Sequence, residues 1–160
     1  RPSKLASDPA GVEQVALNCL EMLRKQSKEY DTLLITLPTS PFCIPEDFIK
    51  AYQIFIDKKA DFLMSISQFD HSPFAALKLT KGTVSPWFPE YFGLKSQEMP
   101  TAYRPNGAIH ILKVKAFEKK RCYTSQPLYA YEMSWPRGMD IDTYDDFALA
   151  EALIKSGAVK

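Results

Sequence analysis

No run of apolar residues in this chain is long enough to cross a bilayer, and nothing in it has the short apolar core of a secretory leader. No membrane-spanning helix is therefore expected. Charge of one sign is also scarce: 20 Lys and Arg stand against 19 Asp and Glu, a formal net charge of +1. That balance excludes a whole-chain electrostatic footprint for nucleic acid or a membrane surface, so any anion site must be local. Cysteine is limited to Cys19, Cys43 and Cys122, an odd set too widely spaced for CxxC metal binding. Such usage fits buried thiols in a reducing cytoplasm better than a disulfide framework. Internal repeats and low-complexity stretches are missing as well. What remains, 160 residues, suffices for one sizeable core and is thin for two, so a single domain over 1–160 is expected. The chain opens on Arg rather than Met, which raises the expectation of an upstream portion.

The periodicity predicts an α/β protein. Asp8 and Pro9 read as an N-cap and first helical position. The recurrence of Val12, Val15, Ala16, Cys19, Leu20 and Leu23 predicts a helix from about Pro9 to Lys28. Thr32 to Leu37 is a short branched apolar run, the pattern of a strand buried on both faces. Pro45, Glu46 and Asp47 open another helix, with acids suited to its dipole and Phe48, Ile49, Tyr52, Phe55 and Ile56 as an inward stripe. Asp61 to Ser67 follows as a second buried strand, and this alternation implies a right-handed crossover and a parallel sheet. Ala75 to Thr80 and Thr83 to Phe88, joined by Lys81 and Gly82, read as a hairpin. The aromatics after it, Trp87, Phe88, Tyr91 and Phe92, suit either a subunit contact or a satellite of the core. Further on, Gly107 to Leu112 and Leu128 to Met133 read as extended, Lys113 to Lys120 as a short helix. A last helix from Tyr144 to Ser156 is expected to bury Phe147, Ala150, Leu153 and Ile154 and to stop at Gly157.

Three segments carry chemistry. Asp140-Ile141-Asp142-Thr143 sits where an extended segment hands over to a helix. Alternation there sends Asp140 and Asp142 to one side and Ile141 to the core. Two carboxylates with water and phosphate oxygens suit Mg²⁺; alternatively they complement the dipole of a helix capped by Thr143 and Asp146. Pro38-Thr39-Ser40-Pro41 follows a strand at its carboxyl end, where ligands gather in open sheets. Thr39 and Ser40 are hydroxyl donors to a ligand, or else satisfy the local backbone of a stiff turn. In Tyr103-Arg104-Pro105-Asn106-Gly107, Arg104 offers a planar fork to phosphate or carboxylate and Gly107 permits close backbone approach; a surface arginine in a turn is the other reading. His110 suits either a sugar hydroxyl or a satisfied core position. Lys113, Lys115, Lys119, Lys120 and Arg121 read as a solvated helix face rather than an anion patch.

In order, Arg1-Pro2 with Leu5-Ala6-Ser7-Asp8, then PTSP at 38–41, then YRPNGAI at 103–109, then DIDT at 140–143 with Asp146 and Ala150-Glu151, resemble the acylneuraminate cytidylyltransferases. The resemblance spans essentially the whole chain. It implies a three-layer, mostly parallel Rossmann-like sheet of the nucleotidyltransferase type, with a protruding dimerisation region at about 75–105. It also implies transfer of CMP from CTP to the anomeric hydroxyl of a nine-carbon 2-keto sugar acid, with Mg²⁺ as cofactor and pyrophosphate leaving. On this resemblance Asp140 and Asp142 hold the metal, and Asp142 and Arg104 are catalytic. Arg1, Thr39 and Ser40 lie toward the nucleotide, and Asn106, His110 and Leu37 toward the sugar acid. A homodimer in the cytoplasm is expected, with neither nucleic acid nor membrane as partner.

The sequence departs from that pattern in places. The family's opening strand and its glycine- and basic-rich phosphate loop have no counterpart, so roughly two βα units of about 30 residues each are missing and a complementary fragment or partner is expected. Leu37 stands where sialic acid enzymes commonly have Gln, Cys43 where Arg is usual, His110 where Tyr is usual, and Ala75 where a sugar-proximal Lys is expected. These point to a sugar acid other than N-acetylneuraminate, such as a legionaminic or pseudaminic relative. Two other classes stay open on sequence: a sugar nucleotidyltransferase using another nucleotide, and a non-catalytic module that keeps the fold without the phosphate loop.

Overall fold

The computed structural model describes residues 2–6 and 11–159; Arg1 and the Asp8–Pro9 cap lie outside them. Four strands form the main sheet, β1 (Thr32–Ile35), β2 (Phe62–Gln68), β5 (Tyr103–Lys113) and β6 (Leu128–Glu132), in the order β1-β5-β2-β6. β5 is antiparallel to both β1 and β2, whereas β2 and β6 are parallel, so three strands share a direction and β5 runs against them. The sheet is therefore mixed, and the crossover from β1 to β2 through α2 (Pro45–Asp57) skips one strand position instead of joining neighbours. Periodicity reveals that a segment is extended, not which way it runs, and this is why the reversed strand was not expected.

Helices cover both faces. On one side Ala51 and Phe55 of α2 pack with Leu63, Ile109, Ile111, Tyr131 and Met133. On the other, Ala16 and Leu20 of α1 (Val12–Lys25) join Val114 and Phe117 of α3 (Val114–Lys120) over Phe62 and Leu112. This is the three-layer α/β arrangement expected from the sequence. A third cluster, Phe42, Met139 and Ala150, seats α4 (Tyr144–Lys155) beside the loops, and Ile141 packs against it.

Two helical stripes differ from expectation. Ile49, Tyr52 and Ile56 of α2 are exposed, because the buried line runs through Asp47, Ala51 and Phe55 instead. In α4 only Ala150 is fully buried; Phe147 and Ile154 face outward and Leu153 is partly covered. The Thr143 cap is as read: its hydroxyl accepts from the Asp146 amide at 3.2 Å, and the Asp146 carboxylate accepts from the Thr143 amide at 2.8 Å. The Thr143 hydroxyl also donates to that carboxylate at 2.7 Å, and this bond foremost, followed by the amide's, holds the Asp146 carboxyl below its ordinary range.

Between β2 and β5 the chain leaves the sheet and forms a separate hairpin, β3 (Leu77–Thr80) and β4 (Thr83–Pro86). Lys81 and Gly82 both adopt positive φ, 49° and 83°, as a two-residue turn of the primed kind requires. Leu79 lies opposite Val84, and both are exposed, at 72% and 63%.

Candidate functional site

A bulge in β5 organises the site. Opposite β2 the pairing jumps from Met64–His110 to Ile66–Pro105, leaving residues 106–109 against Ser65. Gly107 adopts φ +73° inside the bulge, in the left-handed region where only glycine is unstrained. A Cβ there would lie 3.1 Å from Leu37 and 3.6 Å from a carboxylate oxygen of Asp140. The three motif segments therefore meet: the end of PTSP's strand, the RPNG bulge and the DIDT run. A further tie joins the first and last of these, since the Ile141 amide donates to the Thr39 carbonyl at 2.9 Å.

The meeting point lies beyond the carboxyl ends of β1, β2 and β6 and at the amino end of β5, the edge where ligands collect in sheets of this type. Two buried polar atoms there have no hydrogen-bond partner, Oδ1 of Asp140 and Oγ of Ser40. A desolvated carboxylate oxygen without a donor is costly to fold around and suits a site that receives a cation or a donor from a ligand. Among the described residues no group of three or more His, Cys, Asp or Glu forms a cation cage. A hard ion bound by one or two carboxylates, with ligand phosphates completing its shell, needs no such cage; Asp140 and Asp142 are the residues that could hold Mg²⁺ in that manner. Residues 140–143 belong to no sheet ladder. Asp142 is exposed and borders a depression of about 290 Å³ with Tyr144 and Phe147.

Arg104 is half-buried and lines a cleft of about 370 Å³ with Ser67, Asp70, Glu132, Trp135 and Gly138. Asp142 does not border that cleft; Asp140 comes nearest to it in sequence, two residues after Gly138. Asn106 is 1% exposed and its side-chain amide makes three hydrogen bonds. Its Oδ1 accepts from Ser65 Oγ at 2.5 Å and from the Ala108 amide at 3.2 Å, and its Nδ2 donates to Ser67 Oγ at 2.9 Å. Such an occupied amide braces the bulge. It has little left to offer a ligand.

His110 sits on the other face of the sheet, its ring edge-on to Tyr123 at 4.7 Å beside the α1 and α3 layer. Its Nδ1 has no partner, and burial pushes its pKa down to about 4. A folded value below the unfolded one means that stability is complete above about pH 6.5 and falls as pH drops toward 4. His110→Leu is expected to remove about 2 kcal/mol of that acid-induced loss, read as the difference in urea midpoints at pH 7 and pH 4.5. An unchanged pH dependence in the variant would mean that the ring is not held neutral in the fold.

Sequence reasoning missed three participants, Asp47, Trp135 and Gly138. Asp47, read as a dipole acid, is wholly buried; it accepts from the Tyr131 hydroxyl at 2.7 Å, from the Ile44 amide at 3.0 Å and from Arg137. Cys43 lies beside the Arg137 guanidinium, while burial pushes its thiol upward. Trp135 and Gly138 drew no reading from the sequence; WPRG before DIDT was the signal that could have flagged them.

No protein-family model matches the chain. Among curated relatives, the CMP-N,N'-diacetyllegionaminic acid synthase of Legionella pneumophila is 27% identical over 159 residues, covering 97% of this chain and 67% of that protein. The pseudaminic acid cytidylyltransferase and UDP-2,4-diacetamido-2,4,6-trideoxy-beta-L-altropyranose hydrolase of Helicobacter pylori is 26% identical over 97% of this chain. The N-acylneuraminate cytidylyltransferase of Streptococcus agalactiae is 25% identical over 79% of it. This chain spans 30% and 32% of the lengths of those last two proteins. A solved structure of CMP:2-keto-3-deoxy-manno-octonic acid synthetase complexed with CTP matches with a TM-score of 0.55 at 14% identity, over 87% of this chain and 67% of that one. That likeness speaks for the fold alone. In its sequence motifs, and over most of its length, this chain is similar to the acylneuraminate cytidylyltransferases and CMP-sugar-acid synthases among curated proteins.

Proposed function

We propose that this chain is part of an enzyme that transfers CMP from CTP to the anomeric hydroxyl of a nine-carbon 2-keto sugar acid, releasing pyrophosphate. The observation that carries the reading is the convergence of Leu37, Gly107 and Asp140, from three distant motifs, with the second oxygen of the Asp140 carboxylate buried and unpartnered. Asp140 and Asp142 would hold Mg²⁺, which when bound would supply positive charge against the phosphate oxygens. Arg104, in its half-open cleft, holds the sugar-acid carboxylate or a phosphate through a planar fork. Asp142 is exposed and free to take the hydroxyl proton, while Asn106 keeps the bulge rigid. Thr39, Ser40 and Arg1 lie on the nucleotide side of this reading. Leu37 and His110 lie on the sugar side by resemblance, although the structure sets His110 behind the sheet against Tyr123.

The test is pyrophosphate release by the natural polypeptide with CTP, UTP, GTP and ATP against a panel of 2-keto sugar acids and sugar phosphates. Selective turnover of CTP with a 2-keto acid is expected. Preference for another nucleotide, or for a sugar phosphate, would overturn the reading, and so would the absence of any release.

The proposal includes a homodimer, formed through the apolar face of the hairpin, and a cytoplasmic setting in keeping with three free thiols. Leu79 and Val84 form an exposed cross-strand pair of the kind that a subunit contact buries. Leu79→Lys with Val84→Lys is expected to convert a dimer to a monomer in light scattering on a sizing column. A dimer that persists would place the contact elsewhere.

A further inference from the structure

The Asp47 carboxylate is 0% exposed, although an acid at this position of a helix ordinarily points to water. Its three donors come from three segments: Ile44 before α2, Tyr131 in β6 and Arg137 in the turn after β6. A buried ion pair adds little net stability compared with an apolar replacement, so its use here calls for a geometric reason. The turn supplies one. Ser134, Trp135 and Gly138 line the cleft that holds Arg104, and Arg137 lies within the same turn. On its cleft side the turn is pressed against the Ser67 and Asn106 side chains, for a Cβ on Gly138 would stand 2.7 Å from Asn106 Nδ2. On its other side the turn is held through Arg137 by the Asp47 carboxylate.

We propose that Asp47, Arg137 and Tyr131 form a clasp that positions the Trp135 to Gly138 wall of the Arg104 cleft and thereby sets the affinity for the sugar acid. Arg137 is a positioning residue: it reaches the ligand only through the turn that it holds. The inference rests on the proposed function for its substrate, but the clasp itself has a readout that does not.

The kinetic arm compares the natural polypeptide with Arg137→Gln, Arg137→Lys and Tyr131→Phe. Arg137→Gln is expected to raise KM for the sugar acid by about tenfold while KM for CTP stays unchanged, as a loosened wall misplaces one substrate and not the other. Arg137→Lys should restore little, because an ammonium lacks the planar fork. Tyr131→Phe, which removes one donor and leaves the ion pair, should fall between. A purely structural role would move both KM values together, or lower only the active fraction in step with the melting temperature, and either result overturns the clasp.

The second arm needs no turnover. Trp135 is 58% exposed and the chain has two tryptophans, so a Trp87→Phe background isolates its fluorescence. Arg137→Gln and Asp47→Asn should raise acrylamide quenching of Trp135 with unchanged far-ultraviolet circular dichroism. Quenching equal to that of the parent in folded variants would overturn the proposal. If the parent releases no pyrophosphate while quenching rises as expected, the functional reading falls and the clasp stands.

Discussion

Asp140→Ala is expected to lower CMP transfer by about two to three orders of magnitude and, in the absence of metal, to raise stability by about 1 kcal/mol. Both signs follow from one carboxylate. Oδ1 of Asp140 is buried without a donor, so the metal-free fold carries the cost of desolvating it and gains nothing in return. The other oxygen of this carboxylate, Oδ2, faces the bulge at Gly107, and on the proposed function the carboxylate would meet a cation once nucleotide arrives. Loss of activity together with a lower melting temperature would show that the carboxylate has a structural partner. Retained activity would remove it from the metal site. Turnover and chemical denaturation in chelator, measured on the same preparations, decide between these. Opposite effects on stability and rate are what a strained functional position produces.

Gly138→Ala is expected to destabilise the protein by about 3 kcal/mol and to widen the Arg104 cleft. The added methyl would collide with Ser67 Oγ and lie 2.7 Å from Asn106 Nδ2 and 3.3 Å from Met133 Cβ. Ser67 cannot simply turn aside, since its hydroxyl donates to the Met133 carbonyl at 3.0 Å and accepts from Asn106. Asn106 is fixed in turn by Ser65, whose oxygen accepts from the Ile109 amide at 2.8 Å. One methyl therefore displaces either the turn or a connected buried network, and partly satisfied networks are worse than none. Urea unfolding at pH 7 measures the loss. A change within about 0.5 kcal/mol would mean that the turn shifts at little cost and that the close approach is not a constraint.

Much of this was legible in the residues. The strands Thr32–Ile35, Phe62–Gln68 and Leu128–Glu132, the helix from Pro45 and the Thr143 cap announce themselves through branched runs, proline and capping chemistry acting over a few residues. So did the chemical segments, because RPNG and DIDT pair unusual backbone with charge. The reversal of β5 was not legible, since alternation is the same in either direction. Nor was the outward face of α2: Ile49, Tyr52 and Ile56 are as apolar as a core stripe, and the line that is actually buried contains Asp47. That aspartate looked like a surface dipole acid because its partner, Arg137, lies 90 residues away and nothing local signals the pairing. His110 misled for a related reason. An imidazole in an apolar strand gives no indication of which face it occupies, and the bulge at 106–109 resets the alternation just before it.

The position of β5 also dictates the order in which the molecule can be assembled. β1 and β2 are both made before β5, yet they do not pair with each other, and each must wait for residues 103–113 to be made before its ladder to β5 can close. Until then two apolar strands are held apart on a nascent chain, with a solvated hairpin unfurling between the second of them and its mate. Damage to the glycine bulge would thus be felt first as aggregation at the ribosome, before any substrate is met.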